Sequence, residues 1–207
     1  MPGQRRRYTQ SFHRLRTNLG RGETLLSEFF DRPGGRPRRA GQPRAHEQEL
    51  LRSVLVLTVG ALDAFLSELV IELVPRLARA GTAHAIFNRL MSENAGLILQ
   101  AVYLSPDDLQ RALADVIEGH FSAKVMHGSR ALRQAVDWCN LGLSNNDFDG
   151  QRFLTALVTL DDWTDKRHRI VHRGELVRMR RDDATDVIEL VRSIGLTLND
   201  RAVQRYF

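Results

Sequence analysis

The chain has 207 residues, 43% of them apolar, which suits one domain of ordinary size with a real core. Its formal net charge of +5 is carried almost wholly by guanidinium groups, since Lys124 and Lys166 are the only lysines. The single cysteine, Cys139, excludes an internal disulfide framework and a Cys-rich zinc site, and the longest uncharged apolar stretch, Ser53 to Leu62, is too short to cross a bilayer.

The basic N-terminal run Gln4 to Arg7 lacks the apolar segment of a signal peptide, so a cytoplasmic protein with no membrane partner is expected. Residues 1–44 hold eleven arginines against Glu23, Glu28 and Asp31, a local excess of +8 that leaves the remainder near −3. Guanidinium suits bidentate phosphate contacts, although a biased codon composition would give the same count. Tyr8, Phe12, Leu15, Leu19, Leu25, Leu26 and Phe29 recur at helical spacing and predict a packing helix over residues 8 to 30, weakened near Gly20 and Gly22. The segment from Asp31 to Ala45, with three prolines, three glycines and five arginines, has no apolar periodicity and reads as a linker, either brushing RNA or simply solvated. This divides the chain into a basic N-terminal helix and linker, 1–45, and a helical domain, 46–207.

From His46 to about Ala80 runs the longest predicted helix, with Leu51, Leu55, Leu62, Phe65, Leu69 and Leu73 on one stripe and Val54, Val56, Leu57 and Val59 widening it. Apolar nearly all round, it should be the central core helix. Asp63 lies within that apolar region as either a paired structural carboxylate or a site residue. One or two short helices are expected over 83–103, a capped helix start at Ser105-Pro106, and a helix carrying Ala131, Leu132, Ala135, Val136 and Trp138. Residues 143–150 have turn chemistry. The next helix carries Phe153, Leu154, Leu157, Val158, Leu160 and Trp163, and Gly174 suits its C-terminal cap. The last begins near Asp182-Asp183 and turns Val187, Leu190, Val191 and Ile194 inward. With no persuasive alternating strand, the fold class is all-α.

The segment Asp162 to Glu175 concentrates the chemistry: Lys166, Arg167, His168, Arg169, His172 and Arg173 fall within eight residues, beside an apolar pair, Ile170 and Val171, expected to fix the helix against the core. No Gly-x-Ser-x-Gly elbow, phosphate-cradling Gly-x4-Gly-Lys-Ser/Thr loop or Gly-x-Gly-x-x-Gly is present. His168 and His172 have metal-ligand spacing, yet no third ligand is evident and the neighbouring guanidinium groups would repel a cation. Read without a metal, histidine to move a proton and arginine to neutralise a phosphate suit phosphodiester chemistry. Arg167 and His172 are five residues apart, about 140° around a regular helix. They converge only if the arginine curls or a second surface completes the cleft, which a dimer with facing helices would do. Alternatively, Arg167 pairs with Asp162, Asp165 or another carboxylate and His172 caps the helix end. Trp163 stacks a base or packs in the core. Cys139 and the histidines at 13, 46, 84, 120 and 127 read as fillers.

Arg167-His-Arg-Ile-Val-His172 resembles the Arg-x4-6-His signature of HEPN domains, and Asp162-x3-Lys166-Arg167 resembles the acidic-x3-Lys-Arg element that precedes it in some members. Leu55 to Leu66 is similar to the early core helix of these domains, particularly the bacterial RiboL-PSP-HEPN-like group, and the likeness covers roughly residues 46 to 200. The resemblance implies a HEPN-like helical bundle that dimerises through the signature helices. It also implies a metal-independent endoribonuclease, without cofactor, that cleaves RNA by 2′-hydroxyl attack and leaves a 2′,3′-cyclic phosphate. Arg167 would bind the scissile phosphate and His172 would act as general base or acid. His168 would orient Arg167 or the substrate, with Lys166, Arg169, Arg173 and Asp162 supporting. Such proteins serve as toxins or defence effectors alongside an antitoxin or defence partner, while other members have lost catalysis and act as RNA-binding or dimerisation modules.

Overall fold

The structure, a computed structural model, describes residues 8–30, 43–79, 127–143 and 153–207, with isolated positions between 92 and 119. The short helices expected over 83–103, the helix start at Ser105 and most of the Pro/Gly/Arg-rich linker and of the turn at 143–150 lie outside the described residues. Within them the secondary structure is helical and without strands, as the all-α reading expects. The helices are α1 (Gln10–Phe30), α2 (Ala45–Arg79), α3 (Gly128–Trp138), α4 (Phe153–Arg173) and α5 (Arg181–Tyr206).

Helix α2 packs against each of the other four, which explains why its sequence is apolar nearly all round. Leu51, Val54, Leu55, Val59, Leu62, Phe65, Leu66, Leu69, Val70, Leu73 and Leu77 are all buried along it. Each such side chain contributes about 2 kcal/mol of transfer free energy. Leu57, expected to widen the stripe, is instead 51% exposed, because it faces away from every neighbour on the widest part of that stripe. The Ala45–Leu73 portion is long and apolar enough to span a bilayer, but here it is the core helix, with most of its apolar length covered by protein.

Helix α1 places Phe12, Leu15, Leu19 and Leu26 in the same core, against α2 and α5. Helices α1 and α5 come close at Gly195, where an added Cβ would run into Leu15 Cδ2 and stand 3.1 Å from Phe12 Cε2. Polar groups at this end are paired. The Asn199 amide oxygen accepts from the Thr9 N–H at 2.9 Å and the Thr9 hydroxyl at 3.2 Å, and Thr9 Oγ1 caps α1 by accepting from the Phe12 N–H. Glu72 on α2 accepts from the N–H groups of Gln10 and Ser11, satisfying two more donors of the α1 start.

Two local devices position α4. At its C-terminal end Gly174, with φ +63°, takes up the left-handed conformation that glycine enters at least cost, as its expected capping role requires. The connector to α5 is then pinned to α2, because buried Arg52 donates to the Val177 carbonyl and Gln48 exchanges two hydrogen bonds with the Met179 backbone. Near mid-helix, Asp161 accepts from the N–H and hydroxyl of Ser129 at the start of α3. Gly128, with φ +66°, lies so close that a Cβ there would stand 2.8 Å from Asp161 Oδ1. The start of α3 is therefore held hard against α4.

Candidate nucleic-acid site

Helix α4 divides its side chains between two faces. Ala156, Leu157, Leu160 and Trp163 are buried, and Arg167 continues that side one turn beyond Trp163. Leu154 and Val158, read from sequence as part of the apolar stripe, are instead 56% and 64% exposed, and His168 and His172 continue their exposed side. The helical repeat is the cause: residues 154, 158, 165, 168 and 172 fall within one solvent-facing sector once 157, 160 and 163 face the core. Ile170 packs against the core, but Val171 does not and is 45% exposed, since the next residue lies about 100° further round.

The two residues at the ends of the Arg-x4-His segment have different surroundings. Arg167 is half-buried, its Nε is fully shielded without a hydrogen-bond partner, and its charge acts on Asp63 of α2. His172 is exposed and packs at a tilt against His168 one turn back, ring centroids 4.7 Å apart and planes inclined by 43°. Of the supporting residues, Lys166 sets its ammonium 3.9 Å above the Trp163 ring. Arg169 donates to Glu175 at 2.7 Å, with Arg173 3.7 Å from the same carboxylate. Asp162 is exposed. Trp163 itself is buried in the core, its Nε1 also lacking a partner, and is not available as a stacking platform. Cys139 is a fully buried, unpaired thiol whose ionisation is strongly opposed by burial.

Asp63 is a paired carboxylate. Its Oδ2 lies 2.6 Å from Nδ1 of His127, the residue that precedes α3, while Oδ1 is shielded from solvent with no partner. Burial pushes its pKa up to about 6, against the opposing pull of the His127 and Arg167 charges. His127, which stands alone in the sequence and reads there as a filler, is thus paired with Asp63. It belongs to a junction of α2, the α3 start and α4 that gathers Asp63, His127 and Arg167. The one sequence signal for this junction was a lone carboxylate inside an apolar helix. Its partner is 64 residues away, and only tertiary structure reveals it. Among the described residues the buried side-chain atoms without partners are Asp63 Oδ1, Trp163 Nε1 and Arg167 Nε, all of them from α2 and α4.

A model of the RiboL-PSP-HEPN family matches residues 38–204, most of the chain and four of its five described helices. The protein belongs to the RiboL-PSP-HEPN family. No curated protein and no solved structure is significantly similar to it. Within this HEPN domain the matched span runs from ahead of α2 nearly to the end of α5, so the basic segment on α4 and the Asp63–His127 pair both fall inside it.

Proposed function

We propose that this HEPN domain is a metal-independent endoribonuclease of cytoplasmic RNA, acting as a homodimer in a toxin or defence setting beside an antitoxin or other defence partner. The observation that carries the reading is the state of Arg167: a guanidinium half-buried on a basic helix with its Nε unpaired by protein, in a family defined by its HEPN domain. The side chain is only half-buried, and a phosphate is the acceptor that matches the part of a guanidinium left accessible. Arg167 then stabilises the charge that grows on the scissile phosphate, while an imidazole moves the proton of the 2′-hydroxyl, RNA's own nucleophile.

The split faces of α4 support the homodimer in this reading. In one chain His172 stands on the exposed side with Leu154 and Val158, while Arg167 turns inward. A second α4 packed across that exposed side covers the leucine and valine and brings the His172 side chains of the two copies towards each other. The same split supports a second reading, a non-catalytic RNA-binding or dimerisation module, since Arg169 and Arg173 are already occupied by Glu175.

The deciding experiment incubates the purified chain with structured and single-stranded RNAs in EDTA. Cleavage that yields 2′,3′-cyclic phosphate ends and falls at least about 10²-fold in Arg167→Ala and in His172→Ala establishes the nuclease. Salt-sensitive RNA binding without products establishes the module instead.

A further inference from the structure

We propose that His127, held by Asp63, is a second catalytic imidazole of this domain, the acid that protonates the leaving 5′-oxygen of the phosphodiester bound by Arg167. The inference rests on the endoribonuclease reading above and adds to it a group that the Arg-x4-His segment does not contain.

Three observations converge on it. First, the pair has a defined tautomer: with the Asp63 carboxylate ionised, only Nδ1–H of His127 can donate across the 2.6 Å contact. Nε2 on the far side of the ring is left pointing away from Asp63, and the side chain as a whole is 35% exposed. Second, the pair shares its junction with Arg167, whose charge acts on Asp63, whereas His172 of the same chain faces the other side of α4. Third, the position is built. Gly128 admits a contact with Asp161 that a side chain would obstruct, and Asp161 ties the α3 start to α4 three and six residues before Thr164 and Arg167. His127 is thus fixed relative to the helix that carries the phosphate-binding arginine.

The division of labour balances. The 2′-oxygen attacks phosphorus as its proton passes to His172, contributed by the second copy. The bond from phosphorus to the 5′-oxygen breaks, and His127, entering the step as the imidazolium with Nδ1–H on Asp63, gives its Nε2 proton to that departing oxygen. The products are a 2′,3′-cyclic phosphate and a 5′-hydroxyl, with His127 neutral and His172 protonated, and exchange with water restores both.

The test compares ordinary RNA with the same oligonucleotide carrying a bridging 5′-sulfur at the cleavage position, because a thiolate leaves without a proton. His127→Asn is expected to slow cleavage of ordinary RNA by about 10²-fold or more while cleaving the sulfur substrate at the wild-type rate. Arg167→Ala slows both. Asp63→Asn keeps the shape of the pair and serves if His127→Asn melts early; it is expected to give a smaller loss, again confined to the oxygen substrate. Wild-type cleavage of ordinary RNA by His127→Asn and Asp63→Asn, or equal losses on both substrates, overturns the inference and leaves the nuclease reading standing. A wild-type chain that cleaves neither substrate overturns both.

Discussion

The α1–α2–α5 end of the molecule and the α2–α3–α4 junction handle buried polar groups in opposite ways. At the first, Asn199 takes both donors of buried Thr9, and Glu72 takes the first N–H groups of α1. At the second, a carboxylate oxygen, an indole N–H and a guanidinium N–H are shielded without partners. Unmatched polar atoms of this kind cost stability, and the junction accepts that cost where the other end of the molecule does not.

That contrast can be broken or sharpened by substitution. The largest effect is expected from Asn199→Ala, which strands the buried Thr9 N–H and hydroxyl and should lower unfolding free energy by about 2–3 kcal/mol in urea titration. Loss of under about 0.5 kcal/mol would erase the distinction. Next comes Asp63→Asn. Because the folded pKa of Asp63 is raised from 3.8 to about 6, the unfolded chain loses that proton first, and stability should fall as pH rises between those values and then level off. The decline attributable to this group is on the order of 2 kcal/mol, and Asp63→Asn should flatten it in thermal melts taken from pH 4 to 7. Smallest is Glu175→Ala, which releases half-exposed Arg169 and Arg173. It should change stability by about 0.5 kcal/mol or less, while steepening the salt dependence of RNA binding because two cations become free for phosphate.

Much of the scaffold was legible in the residues. The 3.6-residue periodicity located all five described helices, Gly174 marked the end of α4, and the all-round apolarity of α2 announced a helix with neighbours on every side. Exposure was harder to read. Leu57, Leu154, Val158 and Val171 are as apolar as their buried neighbours, and only the placement of adjacent helices decides which of them face solvent. The site divided in the same way. Arg167 and His172 stand out as a local cluster, and their 140° separation already argued for a second surface. Asp63 was visible as an anomaly, but His127 carried no local sign, because a contact between α2 and the start of α3 has no linear spacing.

The pinning of the α4–α5 connector has a further mechanical meaning. Gln48 and Arg52 hold that connector near the start of α2, and Asp63 lies eleven residues beyond Arg52, about 16 Å along the same rod. One stiff helix therefore serves as a ruler with two marks, one for the exit of α4 and one for the charge that its arginine faces. Sliding α4 by a single turn would have to break the first mark before it could lose the second, so the reach of Arg167 towards the interior is set by a distance measured along α2.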